Sequence, residues 1–346
     1  MLDLYDAPRR GGLGASQPRV SRWLGDIRTY FPSSVVQVMQ SDAMDRLGLR
    51  QLLLEPEMLA AVQPDVALVS TLIGLNRVMD DESRETARQV VRKVTDQLEE
   101  RLRGATEQAV TGALDRSSRT SRPRPADIDW NRTIAANLKH YQPEYRTVVP
   151  ERLVGYARRR QRVEREIVLC IDQSGSMAES VVFASVFGAV LASLRSVRTR
   201  LVVFDTEVVD LTEEMTDPVD VLFGVQLGGG TDINRAVAYC GSQIECPADT
   251  VMVLISDLYE GGVAEELLAR SASIVASGVT MVALLALSDS GTPSFDADLA
   301  ASLSEVGVPA FACTPDLFPD LMAAAIERRD VGEWASANDI VTAHGT

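Results

Sequence analysis

The sequence predicts a two-part chain: an α-helical N-terminal domain, then an α/β domain on a doubly wound, mainly parallel sheet. Three observations point there. Apolar residues recur at helical spacing before residue 115, whereas short strand-like runs alternate with helical ones after residue 166. A stretch rich in proline, serine and arginine separates the two patterns. The charge also changes sign near residue 165.

Between Trp23 and Leu114 no sustained alternation of apolar and polar residues occurs, and "LRQLLLEPEMLAAV" and "DVALVSTLIGLNRVM" carry helical spacing instead. The longest helix is expected after Asp80, Asp81 and Glu82, whose charges suit a helix N-terminus. From there Ala87, Val91, Val94, Leu98, Leu102, Ala105 and Ala109 step by three or four and mark one buried face. Gly104 and the alanines on that stripe favour a packed bundle over an intermolecular coiled coil. The helical domain is expected to cover residues 1–114.

Residues 115–165 read as a basic linker with one short helix. "DRSSRTSRPRPADI" cannot build an apolar face, and "WNRTIAANLKHY" is the helical candidate. Arg116 to Arg165 holds 13 Lys and Arg against 5 Asp and Glu. Such a run is a solvated face, or a contact for an acidic partner or for the chain's own acidic half. Trp130, Tyr141, Tyr145 and Tyr156 offer little stacking surface, which argues against nucleic acid.

From Glu166 the pattern becomes Rossmann-like. Ile167 to Ile171 is a continuous apolar run, as in a central parallel strand covered on both faces. "AESVVFASVFGAVLASL" is a helix apolar around most of its circumference, and therefore a buried one. "RLVVF" and "VVDL" flank Asp205-Thr206-Glu207 as a hairpin. "INRAVAYCGSQI" (helix), "TVMVLI" (strand), "VAEELLARSASIVAS" (helix) and "VTMVALLAL" (strand) follow. "ADLAASLSEV", "PAFAC" and "PDLFPDLMAAAI" complete helix, strand and helix. This domain is expected over 166–330, with 331–346 a loosely held tail. Right-handed crossovers would bring all the strand C-terminal loops to one edge, where open α/β sheets bind their ligands.

Composition narrows the function classes. The 346 residues are 46% hydrophobic and 24% charged, the profile of a soluble chain with a core. Residues 1–165 carry net charge +5 and residues 166–346 carry −20, within a total of −15. The second half would repel phosphates and welcome a divalent cation. "MLDLYDAPRRGG" shows no apolar signal core or cleavage site, so no secretory leader is expected. Val181 to Leu194 is broken by Ser185, Gly188 and Ser193 and falls short of the ~20 residues a bilayer requires. Cys170, Cys240, Cys246 and Cys313 lack metal-ligand spacing and are expected as buried, reduced thiols of a cytoplasmic protein.

Three polar clusters leave the strands of the α/β part. They are Asp172, Ser174 and Ser176 in "DQSGSM", Thr231 in "LGGGTD", and Asp257 in "LISDLYEGG". Two carboxylates and three hydroxyls suit a hard cation, Mg²⁺ or Mn²⁺. Gly175 lets the first turn fold tightly, and Gly228, Gly229 and Gly230 let the second loop approach closely. Asp205, Asp210 and Asp217 read as turn acids, and Glu260 as a support behind Asp257.

These elements resemble a von Willebrand factor type A (VWA) domain with a complete metal-ion-dependent adhesion site. The signature D-x-S-x-S stands as Asp172, Ser174 and Ser176, with Thr231 and Asp257 as its distal threonine and aspartate. The likeness covers about residues 166–330. "DIDWNRTIAANLKHY", "DQSGSMAESVV" and "ISDLYEGG" further resemble the bacterial CoxE-like proteins, intracellular A-domain proteins that work beside AAA+ ATPases of the MoxR type. The resemblance implies a cytoplasmic adaptor or co-chaperone. In it the serines and threonine hold the ion directly or through water, the aspartates act partly through water, and a partner's Asp or Glu fills an open position. No G-x-x-x-x-G-K-[ST] is present, so the ATPase would be a separate chain.

An enzyme is the competing class. His140 and His344 both fall outside the α/β part, which excludes a Ser-His-Asp triad built within it. Asp172 as a phosphorylated nucleophile would want a second acid two residues on, where Ser174 stands. A metal-dependent hydrolase or phosphatase using the same five oxygens is the alternative that stays open.

Overall fold

A computed structural model of the protein describes residues 64–117, 119–120, 128–156, 165–194, 197–224, 229–287 and 294–340, together with Val35. The helix expected over 49–62, Gly228 and residues 341–346 lie outside them. The chain divides into two compact units, Met1–Asp96 and Gln97–Thr346. That division falls inside a long helix, where charge and composition had drawn boundaries at 114 and 165.

In the first unit, α1 (Val66–Leu75) is capped by Asp65, whose Oδ1 accepts a hydrogen bond from Leu68 N at 2.7 Å. α2 (Asp81–Ser117) begins at the acidic cluster, as expected, and runs on into the second unit. Its buried stripe follows Ala87, Val91, Val94, Leu98 and Leu102 and then continues through Thr106, Val110 and Ala113. Ala105 and Ala109 are not buried. Steps of four carry the seam onto Thr106, whose hydroxyl is satisfied by Leu102 O at 2.8 Å. A polar residue thus occupied a core position that hydrophobicity alone assigned to its alanine neighbour.

Residues 128–156 carry more than the one short helix expected there. α3 (Trp130–Ala136) is followed by a 3₁₀ turn at Leu138–His140 and a small antiparallel ladder of Tyr141–Gln142 with Thr147–Val148. Buried Asn137 takes the place of an apolar core. Its Nδ2 donates to Thr133 O and Arg152 O, both at 2.7 Å, and its Oδ1 accepts from Glu151 N and Arg152 N at 3.0 and 3.1 Å. All four hydrogen-bonding positions of the amide are filled. Outside this knot Trp130, Ile134, Leu138 and Tyr141 stand exposed.

Among the described residues the main sheet has six strands: β1 (Arg165–Asp172), β2 (Val197–Phe204), β3 (Val208–Asp210), β4 (Thr250–Ile255), β5 (Thr280–Leu287) and β6 (Ala310–Cys313). Their spatial order is β6-β5-β4-β1-β2-β3, parallel except for β3 at the edge, which pairs antiparallel with β2 through the expected hairpin. Between the strands run α4 (Ala178–Ser193), α5 (Pro218–Gly224), α6 (Ile233–Gln243), α7 (Ala264–Ala276) and α8 (Ala297–Glu305), and after β6 come α9 (Phe318–Ile326) and α10 (Val331–Ala337).

Strand side chains alternate between two cores. Val168, Cys170, Met252, Leu254, Met281 and Ala283 pack with residues of α6, α7 and α8. Leu169 and Leu201 face the other way, each with a methyl 3.7 Å from where a Cβ would stand on Gly188 of α4. There Phe187 of α4 meets Phe318 of α9, ring centroids 4.3 Å apart. The run Gly175–Ser193 is the one segment among the described residues long and apolar enough to cross a membrane, but 72% of it is buried in the protein. It sits where a core helix sits.

Two expectations are corrected. The tail begins with α10, capped by Asp330, and its Trp334 is only 7% exposed, packing 6.1 Å from the Phe311 ring. Val331, Trp334 and Ala335 repeat at helical spacing, but over a single turn that is too short to stand out from a polar tail. Cys246 is exposed, whereas Cys170, Cys240 and Cys313 are buried as expected. Burial pushes the Cys313 thiol up to about 12 and the Cys170 thiol well above its ordinary value. Iodoacetamide at pH 8 is therefore expected to modify Cys246 alone in the folded protein and all four cysteines after denaturation. Mass spectrometry reads this directly, and rapid labelling of Cys313 in the native state would contradict the packing.

Candidate metal centre

Asp172 closes β1, and Asp257 stands two residues past the end of its neighbour β4. The sheet grows from β1 towards β2 and β3 in one direction and from β4 towards β5 and β6 in the other. The C-terminal ends of β1 and β4 thus flank the point where strand order reverses, the place where open α/β sheets form a crevice. A carboxylate at the end of a buried strand is explained by that position.

Asp172 is 0% exposed. Its Oδ1 accepts from Ser174 N at 2.8 Å and its Oδ2 from Ser256 Oγ at 2.9 Å. Burial pushes its carboxyl up to about 6, against the downward pull of those two bonds. Ser176 Oγ donates to Asp257 Oδ2 at 2.5 Å, and the Ser174 and Ser176 hydroxyls lie 3.2 Å apart. A 3₁₀ turn at Gly175–Met177 presents both serines and leads into α4. Asp257 is itself 4% exposed. Among the described residues neither carboxylate is paired with a lysine or arginine.

Thr231 arrives from the loop before α6. Gly229 has φ +129°, and a Cβ there would come within 3.4 Å of Asp205 Oδ2, so glycine suits the backbone and lets the loops approach. Asp232 N donates to Asp205 O at 2.8 Å, and Gly261 N donates to Thr231 O at 2.8 Å. Asp172, Ser174, Ser176 and Asp257 therefore form one hydrogen-bonded cluster, Asp172 joining through Ser174 N and the other three through their side chains. Among the described residues Thr231 makes no hydrogen bond to these four, and its carbonyl is tied instead to the turn that follows Asp257.

The remaining acids divide into caps and turns. Glu260 makes none of the contacts of that cluster: its Oε2 accepts from Ile233 N at 2.8 Å and Asn234 N at 3.2 Å, and its Oε1 accepts from Gly262 N at 2.6 Å. It caps α6, and its partial burial raises its carboxyl. Asp205 Oδ1 accepts from Glu207 N at 2.7 Å and Asp217 Oδ1 from Val219 N at 2.9 Å, as turn acids do. Asp210 also takes the Tyr239 hydroxyl at 2.9 Å. Ser256 escaped the sequence reading, although it ends the apolar run of β4 much as Asp172 ends that of β1.

Chemically, this is an all-oxygen set. Among the described residues no group of three or more His, Cys, Asp and Glu is gathered, so a cation here would rest on two carboxylates and on hydroxyls. Such donors fit Mg²⁺ or Mn²⁺ and not zinc.

A model of VWA domain-containing CoxE-like proteins matches residues 102–322. The chain is 38% identical over 313 residues to the Escherichia coli (strain K12) protein described as "Uncharacterized protein YehP", with 90% of this chain and 83% of that one covered. Solved structures are more distant. An aerotolerance-related membrane protein from Bacteroides fragilis is 15% identical, over 47% of this chain and 98% of that one, with a TM-score of 0.37. A von Willebrand factor type A protein from Catenulispora acidiphila is 13% identical, over 47% and 42%, at the same score. Neither carries weight beside the family match, which spans well over half the chain and coincides with the expected mainly parallel sheet. The chain belongs to the family of CoxE-like proteins that contain a von Willebrand factor type A domain.

Proposed function

We propose that the protein is a metal-dependent protein-interaction module, an intracellular adaptor or co-chaperone that grips an acidic side chain of its partner through Mg²⁺ or Mn²⁺. The observation that carries this reading is the pair of buried carboxylates, Asp172 and Asp257, linked to two hydroxyls at the sheet's switch point and unpaired with any cationic side chain among the described residues. Two adjacent buried anions without a counter-charge are costly, and a divalent cation is the group that would offset them.

Asp172, Ser174, Ser176, Thr231 and Asp257 would hold the ion. When bound, it supplies an electrophilic position open to a carboxylate from another protein. The neutral hydroxyls leave more of its charge uncancelled than carboxylates would, which favours an incoming anion. α4 begins directly after the serine turn, and its N-terminal dipole favours the same anion while opposing the cation. Asp172 and Asp257 are left to retain the metal.

By family resemblance the partner is a MoxR-type AAA+ ATPase or its client, and the compartment is the cytoplasm. An adaptor needs a second contact surface, and the exposed Trp130, Ile134, Leu138 and Tyr141 on a basic segment are a surface of that kind. A metal-dependent hydrolase or phosphatase is the alternative reading of the same oxygens.

Titration calorimetry of the full chain with MgCl₂ and MnCl₂ tests the metal, with saturable one-to-one binding expected. Assays for phosphatase and ATPase activity with Mg²⁺ should show no turnover. Turnover lost in Asp172→Asn would favour the hydrolase, and absence of binding by either ion would sink the metal-dependent reading altogether.

A further inference from the structure

Among the described residues four of the five candidate ligands are tied to one another by hydrogen bonds, whereas Thr231 is not. Its place is set from outside, by the turn that follows Asp257. Gly261 N donates to Thr231 O at 2.8 Å, and a Cβ on Gly261 would fall 2.6 Å from that same oxygen. No side chain fits there unless the backbone of the threonine loop retreats. One residue earlier, Glu260 spreads its carboxylate across both loops, taking Ile233 N and Asn234 N with Oε2 and Gly262 N with Oε1. The turn is itself held under tension. Leu258 is wholly buried at φ +65°, a conformation that a bulky side chain adopts only when its surroundings impose it. Its N donates to Ser256 Oγ at 3.0 Å, the hydroxyl that also donates to Asp172.

We infer that the Glu260–Gly261 turn is a clamp that positions Thr231 against the other four oxygens. Gly261 and Glu260 are positioning residues that set metal affinity without touching the metal. This rests on the metal-binding reading above. It assigns to two residues outside the ligand set, one of which sequence reading placed merely behind Asp257, a defined route of action. The glycine permits the close approach, the carboxylate locks it, and the threonine hydroxyl is what they deliver.

Calorimetric Mn²⁺ and Mg²⁺ affinities of the full chain test this, with metal-free melting temperatures measured in parallel. Gly261→Ala is expected to weaken binding about tenfold or more. The nearly isosteric Glu260→Gln, whose amide cannot accept at both ends, is expected to weaken it several-fold with little change in metal-free melting. Gly224→Ala, where the new methyl would meet Leu211 at an ordinary 3.7 Å, serves as the control and should leave affinity unchanged. The decisive readout is a double-mutant cycle with Thr231→Val. If the clamp works through the threonine, Gly261→Ala and Glu260→Gln cost no further affinity once the hydroxyl is gone. Full additivity in that background, or wild-type affinity in both single variants, would overturn the clamp while leaving the metal site standing. Failure of the wild-type chain to bind either ion would instead remove the reading on which the clamp depends.

Discussion

Asp172→Asn is expected to move stability in opposite directions with and without metal. The amide keeps the shape of the carboxylate and an acceptor for Ser174 N, so the turn should persist. In the metal-free protein at pH 8 the wild-type side chain is ionised although wholly buried, with its carboxyl pushed up to about 6 by that burial. A displacement of that size corresponds to at most ~3 kcal/mol. Part is offset because Ser256 loses its charged acceptor, which leaves a net gain of about 1 kcal/mol for the variant. For a unit of this size that is a rise of roughly 2–4 °C in Tm.

The pH dependence follows from the same displacement. A carboxyl whose folded-state pKa lies above its unfolded value contributes stability that is fully present below about pH 4 and is lost as pH rises through about 6. The gap between variant and wild type should therefore open across that window and stay constant above it. Mg²⁺ should then raise the Tm of wild type and leave that of the variant unmoved. Thermal melts at several pH values, with Mg²⁺ or EDTA, measure both effects. A variant that responds to Mg²⁺ as wild type does would remove Asp172 from the site.

How much of this was legible beforehand depends on how local each cause is. The apolar run of β1 ending in Asp172-Gln173-Ser174-Gly175-Ser176 announces strand, turn and donors within a dozen consecutive residues. The strand–helix alternation after it foretold the mainly parallel sheet and its hairpin edge. What the sequence could not display are relations between distant loops. That Gly261 lies against Thr231 O depends on two loops separated by a helix and a strand. Glu260 is near Asp257 in sequence, yet two of its partners are on α6. Thr106 is polar and still sits in the seam of α2, because helical geometry chose the position and a backbone carbonyl satisfied the hydroxyl. α10 is one apolar turn whose reason for existing, the Phe311 ring, belongs to another element.

The other end of β1 offers a large effect of a different kind. Glu166 enters the core with its side chain 6% exposed, its Oε1 2.9 Å from Arg200 Nε and its Oε2 accepting Thr250 Oγ1 at 3.3 Å. Arg200→Met removes the cation and leaves a buried carboxylate with one weak hydroxyl donor. The expected cost is about 3 kcal/mol, because an unpaired buried charge loses far more than a surface ion pair is worth. Urea unfolding should show a lower midpoint at an unchanged slope. Adding Glu166→Leu should recover most of the loss, since two well-packed apolar side chains can replace a buried pair at little net cost. A double variant as unstable as the single one would mean that packing around the Arg200 stem, not the stranded charge, supports this end of the sheet. Glu166 lies six residues before Asp172, about 20 Å along an extended strand. Mg²⁺ should therefore still raise the Tm of both variants, from a lower starting point in Arg200→Met. At Asp172 the buried acid has no cationic partner among the described residues, the place where the proposed ion would act, whereas at Glu166 the chain supplies the cation itself.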